Sequence, residues 1–350
     1  MPPKEIQGSK ESDVSTPRVS VIMSVYNKCP YLAVAIESIL NQTFFDFEFI
    51  ILNDGSSDGS EKIIDHYARQ DHRVRVLSQS NSGIVVSLNR LIKEARGEFV
   101  ALMDADDRCK PERLEKQLAF MDMNPDYGVI GSQTIFFDNS GREWTADFKY
   151  PLNGDDFVVA LPDKPLINHP AVLFRTRALL AVNGYRAQFT YAEDYDLWCR
   201  LSEITKLASL PEAYSYYRRH ADQISSKHVI KQTLYAAIAW LSYQERASGS
   251  MDPIDGLNEL PRIEEVDKIF SIPNAAQYCR MKIVSRILYD KHALSGEGFG
   301  ILIECLRNGG VVSEPWRLVL RLFKFRLLMR SLTLLMVLLN VKVKRAYDLT

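Results

Sequence analysis

Asp104 and Asp106 stand two residues apart, directly after the apolar run 98–103. Alternate side chains of an extended chain leave on the same face, so both carboxylates can point to one side. Hard oxygen ligands of this kind suit a divalent cation, Mn²⁺ or Mg²⁺, with phosphate oxygens completing its shell. An isolated Asp-x-Asp is more often a solvated turn that ends a strand, and here such a turn would lead into a helix starting near Pro111. Its location favours the metal. Tyr26-Asn27 and Asn53-Asp54-Gly55-Ser56 are two further polar clusters that follow apolar runs in the same way, and Asn81-Ser82-Gly83 precedes a helical pattern. Asp54 sits ahead of its turn and reads as free to accept hydrogen bonds from a base. Ser57 or Asp58 reads as a helix cap, as does the segment Asn81-Ser82-Gly83, whose glycine lets backbone approach a ligand.

Two other chemistries are disfavoured. Residues 54–65 place Asp, Ser and Gly much like a calcium loop, but they end in Asp65 where a bidentate Glu is expected and follow a strand instead of a helix. No G-x-G-x-x-G follows the first strand and no G-x-x-x-x-G-K-[ST] occurs, so a diphosphate would need a metal or arginines.

The elements that must hold these residues alternate. Runs 19–26, 47–53, 74–77 and 98–103 are nearly continuous in apolar residues, as in a parallel sheet buried on both faces. Between them 31–41, 60–69 and 84–95 have helical spacing, which gives β-α-β-α-β-α-β. Parallel sheets bind ligands beyond the carboxyl ends of their strands, and the polar clusters after the first, second and fourth runs fall there. A helix is expected from Pro111 to about 124, a strand over 128–137, and short elements in loops over 141–167. A helix over 192–204 carries Leu197, Leu201 and Ile204 on one side, and 207–217 reads as a strand and loop. The pattern then turns helical over 228–247, 274–293, 298–308 and 316–341, with a Pro- and acid-rich linker through 273.

The net charge of -1 argues against nucleic acid as the main partner, since polyanions are met by a clearly basic face. The five cysteines are scattered without a CxxC pair, which fits a reducing cytoplasm. Residues 1–16 are polar and lack the apolar core of a signal peptide, so they read as a disordered tail.

The segments VSVIMSVYN, ILNDGSSDGS, NSGIVVSLN, EFVALMDADD, NHPAVLFR, YAEDYDLW and YYRRH together resemble, in order and spacing, the family 2 glycosyltransferases of GT-A fold. The resemblance spans about 17–225, roughly three-fifths of the chain. It implies an α/β, Rossmann-like, mostly parallel sheet flanked by helices, with a helical C-terminal region over 226–350. It further implies inverting transfer from a nucleoside diphosphate sugar, commonly UDP-linked, to a hydroxyl of a carbohydrate or lipid-linked acceptor, as in polysaccharide, lipopolysaccharide or glycolipid synthesis. By the same resemblance Asp54 recognises the base, Tyr26 and Asn27 line the nucleotide pocket with Asn81 and Gly83 beside them, and Asp104 meets ribose or metal. Asp106 binds the metal, with Asp107 adjoining. The family's Glu-Asp pair, the source of its catalytic base, maps onto Glu193-Asp194. Ser24 departs from the pattern, standing where many members carry proline.

A carboxylate opposite the leaving diphosphate is what inverting transfer needs to take the acceptor's proton, and a helix N-terminus keeps such a group ionised. In the competing reading Asp194 only caps the helix and Asp196 is solvated. Arg218, Arg219 and His220 form a cluster suited to closing over a diphosphate, with His220 on metal or phosphate; the bland alternative is a basic surface loop. His169 and Trp198 read as packing. A nucleotidyltransferase would want a basic, Gly-rich triphosphate loop, and Ser24–Tyr31 offers only Lys28. A noncatalytic sugar-nucleotide-binding subunit would not need Glu193-Asp194.

From Trp316 to Tyr347 there is no acid, while Arg317, Arg321, Lys324, Arg326, Arg330, Lys342, Lys344 and Arg345 are spread among leucines. Leu318, Leu322, Phe325, Met329, Leu332, Met336 and Leu339 suggest a heptad-like stripe in one helix over 316–341. It is too short and charged to span a bilayer. Lying on the cytoplasmic face of an anionic membrane, packing on the catalytic domain, or meeting a second subunit all remain open, as does the oligomeric state.

Overall fold

The computed structural model describes residues 16–162, 166–219, 228–312 and 314–347, with side chains through 340. The tail expected over 1–16 and His220 lie outside them, apart from Thr16. Strands β1 (Val19–Val25), β2 (Phe47–Asp54), β3 (Val74–Gln79) and β4 (Phe99–Leu102) pair in parallel in the order β3-β2-β1-β4. Their continuous apolar runs are explained by helices on both sides. Leu32, Ile36 and Ile39 of α1 (Cys29–Leu40), Ile64 of α2 (Ser60–Gln70) and Leu114 and Leu118 of α4 (Arg113–Met123) cover one face. Val85, Leu88 and Leu91 of α3 (Ile84–Glu94) cover the other, with Leu197, Trp198 and Leu201 of α7 (Glu193–Ser202). Burying each such side chain contributes about 1.5–3 kcal/mol.

The sheet continues through β8 (Leu173–Arg175), antiparallel to both β4 and β6 (Tyr127–Asp138). Strand β9 (Lys206–Arg219) runs parallel to β6, and β5 (Arg108–Cys109) closes the edge antiparallel to β9. Strand β7 (Glu143–Thr145) adds to β6, making nine strands among the described residues. The expected strand and loop over 207–217 is one strand of 14 residues. Its register slips between Ser132 and Thr134 of β6, where Pro211 and Glu212 have no partner, so a bulge absorbs the proline that would otherwise end the strand. Within the expected loops of 141–167, helix α5 (Gly154–Ala160) joins β7, and α6 (Thr176–Ala181) follows β8.

The C-terminal part is helical, as expected, but two details differ. The stretch expected as a linker is packed: Ile254, Ile263, Val266 and Phe270 are buried in one core with α8 (Val229–Ala247) and α10 (Ala275–Ile287), and α9 (Ile263–Ile269) forms within it. The expected helix over 316–341 is two helices, α13 (Pro315–Lys324) and α14 (Leu328–Tyr347), separated by Arg326 at φ 63°. Between them and α10 lie α11 (Lys291–Ser295) and α12 (Gly298–Arg307).

Candidate active site

The carboxyl ends of β1, β2 and β4 meet at one edge, and the polar clusters are tied to each other there. Asn27, in the left-handed region at φ 51°, accepts from Ser57 N–H at 2.8 Å, while its own N–H donates to Ser56 Oγ at 3.1 Å. Asp58 accepts from Cys29 N–H at 2.8 Å and from Ser60 N–H at 3.0 Å and Ser60 Oγ at 2.6 Å, so it serves the first turns of both α1 and α2. Burial opposes its ionisation, but the hydrogen bonds from Ser60 and Cys29 prevail and lower its pKa. The N-cap position of α2 is Gly59, one residue past the expected 57–58, although Asp58 still accepts from the Ser60 N–H; the N-cap of α3 is Gly83, within the expected 81–83, and neither glycine makes a side-chain cap bond. Tyr26 is half-exposed at the rim.

Asp54 is buried and engaged. Its Oδ1 accepts from Gln79 Nε2 at 2.7 Å and Ser82 N–H at 2.9 Å, and its Oδ2 accepts from Gly83 N–H at 3.1 Å. The sequence made it free for a base; the structure makes it the anchor that holds the 79–83 turn against the 53–56 turn. Gly55 sits where these turns touch, at φ 76°, and a Cβ there would lie 2.7 Å from Asn81 N. Asn81 and Gly83 are exposed beside it.

The carboxylate oxygens of Asp104, Asp106 and Asp107 come within 4.8 Å of one another. Arg113 fixes the strand end that leads to them. Its buried guanidinium donates to Leu102 O at 2.8 Å and Val172 O at 3.0 Å. Burial and the adjacent Asp106 push Asp104 up to about 7, against Lys28, with Asp194 pushing it further up. Burial, then Asp104 and Asp106, hold Asp107 well above the carboxylate range, although the N–H of Arg218 donates to its Oδ1 at 2.8 Å. Its Oδ2 is buried with no hydrogen-bond partner. Three crowded hard-oxygen groups, one with an unsatisfied buried oxygen, are a donor set suited to Mn²⁺ or Mg²⁺.

Two cations attend this trio. Lys28 Nζ pairs with Asp106 Oδ2, a contact the sequence missed although Lys28 directly follows Tyr26-Asn27. Arg218 donates from Nε to Asp106 O at 2.8 Å and lies over the rings of Tyr31 and Phe137. Arg219, the next residue of β9, instead lies over Phe136 and Tyr217. Of the expected arginine pair, Arg218 contacts the aspartates.

Helix α7 begins with Glu193 and Asp194. Its N-cap is Ala192 without a side-chain cap, and the Oδ1 of Asp194 accepts from Tyr195 N–H at 2.7 Å. Burial first and Asp194 second push Glu193 up to about 7, and its Oε2 is buried without a partner. Tyr185, which the sequence did not single out, pairs with His169 within the field of the same carboxylates. The Tyr185 hydroxyl lies 2.7 Å from His169 Nε2. Burial and the carboxylates of Glu193, Asp194 and Asp104 hold its phenol well above the usual range. Burial lowers the pKa of His169, with Asp194 opposing. His169 packs edge-on against Trp198, whose ring stacks on Phe174, so the packing reading of both residues agrees with their surroundings.

Asp196 is fully buried, not solvated. It accepts from Arg186 and, at 2.9 Å, from Arg200 Nε. Arg186 also donates to Asp252 at 2.8 Å, and Asp252 pairs with Arg246, so this network ties α7 to the C-terminal helices.

A curled, mostly parallel sheet between helices, with an aspartate trio at its carboxyl edge, is the GT-A glycosyltransferase architecture. Two solved structures share the fold. Staphylococcus aureus TarS 1–349 in complex with UDP-GlcNAc aligns with a TM-score of 0.54 and 18% identity over 83% of this chain and 81% of that one. The mannosyltransferase PcManGT of Pyrobaculum calidifontis, in complex with GDP-Man and Mn²⁺, aligns at 0.51 and 16% over 96% and 88%. Residues 20–181 match the profile described as glycosyl transferase family 2. The chain is also 35% identical over 206 residues to the O-antigen biosynthesis glycosyltransferase WbnJ of Escherichia coli, 58% of this chain and 80% of that protein. The chain belongs to glycosyl transferase family 2.

Proposed function

We propose that this glycosyltransferase moves a sugar from a nucleoside diphosphate donor, with inversion, onto a hydroxyl of a growing cell-surface polysaccharide or lipid-linked acceptor. The observation that carries the reading is a pair of acidic groups with buried, unpartnered oxygens: Asp104-Asp106-Asp107 after β4, whose carboxylate oxygens lie within 4.8 Å of one another, and Glu193-Asp194 at the start of α7. One group suits the donor diphosphate and the other the acceptor. The relatives give the context: an O-antigen glycosyltransferase, and neighbours bound to UDP-GlcNAc and GDP-Man.

Asp106, Asp104 and Asp107 would hold Mn²⁺ or Mg²⁺, which supplies Lewis-acid stabilisation of the diphosphate leaving group. Tyr26, Asn27, Asn81 and Gly83 border the nucleotide pocket, and Asp54 shapes it by fixing the 79–83 turn. Lys28 and Arg218 place positive charge at the same edge, where the leaving group gains negative charge. Asp194 takes the proton of the acceptor hydroxyl as its oxygen bonds to the anomeric carbon and the bond to the diphosphate breaks on the opposite face. Asp194 is half-buried at the start of α7, where the N–H of Tyr195 donates to its Oδ1.

Nucleoside diphosphate release from a panel of sugar nucleotides, with Mn²⁺, Mg²⁺ or chelator, tests the reading. Metal-dependent release from one donor, lost in Asp106→Ala, is expected. Donor binding without release or transfer, across acceptors, would instead indicate a noncatalytic sugar-nucleotide-binding protein.

A further inference from the structure

The break at Arg326 changes what the C-terminal helices show to solvent. Helices α13 and α14 fold back on one another, with Ser331 Oγ donating to Val319 O at 2.9 Å. Leu318 and Leu322 of α13, and Leu334, Val337 and Leu338 of α14, are buried in the core with the preceding helices. The stripe expected from a single helix is therefore divided. Its first half packs inward, while Met329, Leu332, Met336 and Leu339 are exposed. On α13, Trp316, Leu320 and Phe323 are exposed at i, i+4 and i+7. Both helices bury the side that meets the body, so these two apolar rows lie on the outer side of the pair. Leu320 and Phe323 are each 63% exposed and Met329 76%.

The charge around this face has one sign. From Pro315 to Tyr347 there are eight Lys or Arg and no Asp or Glu. Arg317, Lys324 and Arg326 are exposed, and Glu314, at the border, pairs with Arg317. Arg321 lies over Tyr289, itself exposed, and Arg330 over Phe299. No described helix is long and apolar enough to cross a membrane.

We propose that the outer face of the α13–α14 pair docks on an anionic phospholipid surface. Its exposed apolar rows enter the boundary between headgroups and acyl chains, and the flanking basic side chains meet lipid phosphates. Charge decides against a second copy as occupant. A two-fold pairing would bring the same acid-free, basic face against itself, whereas the negative leaflet complements it. This inference stands on the C-terminal helices alone and does not depend on the proposed donor, acceptor or mechanism.

Co-sedimentation of the full chain with phosphatidylcholine vesicles, with and without phosphatidylglycerol, tests it. Binding to the anionic vesicles alone, weakening as salt shortens the screening length, is expected. Leu320→Ser/Phe323→Ser/Met329→Ser should abolish that binding with the thermal midpoint retained. Arg317→Gln/Lys324→Gln should weaken it about thirty-fold, at about 1 kcal/mol per basic side chain. No binding of the unaltered chain at low salt would overturn the proposal, as would full binding by the triple variant. A concentration-dependent dimer that the triple variant dissolves, without vesicle binding, would assign the face to a second copy instead.

Discussion

Asp196→Asn removes the one acidic partner shared by Arg186 and Arg200 while keeping the shape of the side chain. Asp196 is wholly buried, and the two guanidiniums that contact it are 14% and 11% exposed. Removing one member of a buried ion pair costs about 3–5 kcal/mol, because the remaining charge is left uncompensated. Arg186 keeps Asp252, and Arg200 keeps the carbonyls of Val182 and Gly184, so the lower end, about 3 kcal/mol, applies. An unfolding entropy of ~2.1 cal/mol/K per residue gives about 0.7 kcal/mol/K for the chain, so the midpoint should fall by about 4 °C in a thermal melt. Asp255→Asn is the control. Asp255 contacts the same arginine at 3.3 Å but is 75% exposed, and its loss should cost under about 0.5 kcal/mol. Equal effects of the two substitutions, or a loss under about 0.5 kcal/mol for Asp196→Asn, would refute the view that this buried network fixes α7 against the C-terminal helices.

Gly55→Ala should destabilise by at least about 2 kcal/mol in urea unfolding, combining a left-handed φ with a clash against Asn81 N. Gly141→Ala, at φ 83° with nothing within 4 Å of the new Cβ, should cost only about 1 kcal/mol. Asp54→Asn turns an amide N–H₂ toward donors now bonded to a carboxylate, so a loss of about 2–3 kcal/mol should accompany weaker donor binding in calorimetry. Glu193 is raised to about 7, so the folded protein holds a proton that the unfolded chain releases at its ordinary pKa. Stability of the metal-free protein should therefore fall as pH rises from about 4.5 to about 7 and then level off, a component on the order of 1–3 kcal/mol. Glu193→Gln should flatten that part of the profile of midpoint against pH, and an unchanged slope would count against the burial of this carboxyl.

The sequence made the sheet edge legible because β1, β2 and β4 are buried on both faces and announce themselves as apolar runs that end in polar clusters. Asp104 and Asp106 stand out that way, whereas Glu193-Asp194, at the start of α7, is marked by the family pattern alone. What escaped was set by contacts distant in sequence. Asp54 reads as available until the 79–83 turn supplies three donors. Asp196 reads as a solvated helix residue until Arg186, held also by Asp252, closes over it. Lys28 gives no signal of its own, since its partner Asp106 lies 78 residues away. Spacing alone cannot register a single backbone reversal, and the left-handed Arg326 converts an expected heptad stripe into one buried and one exposed half. Pro211 misled in the opposite sense, because a bulge carries β9 past it.

In the proposed reaction Asp194 serves the acceptor while the aspartate trio serves the donor. The most direct measurement compares kcat and donor dissociation constant for the unaltered enzyme and Asp194→Asn, using the donor identified by nucleotide release. Loss of the general base should lower kcat by about 10²–10⁴-fold and leave donor affinity unchanged. Full turnover by Asp194→Asn, or a loss of activity accounted for by weaker donor binding, would contradict it.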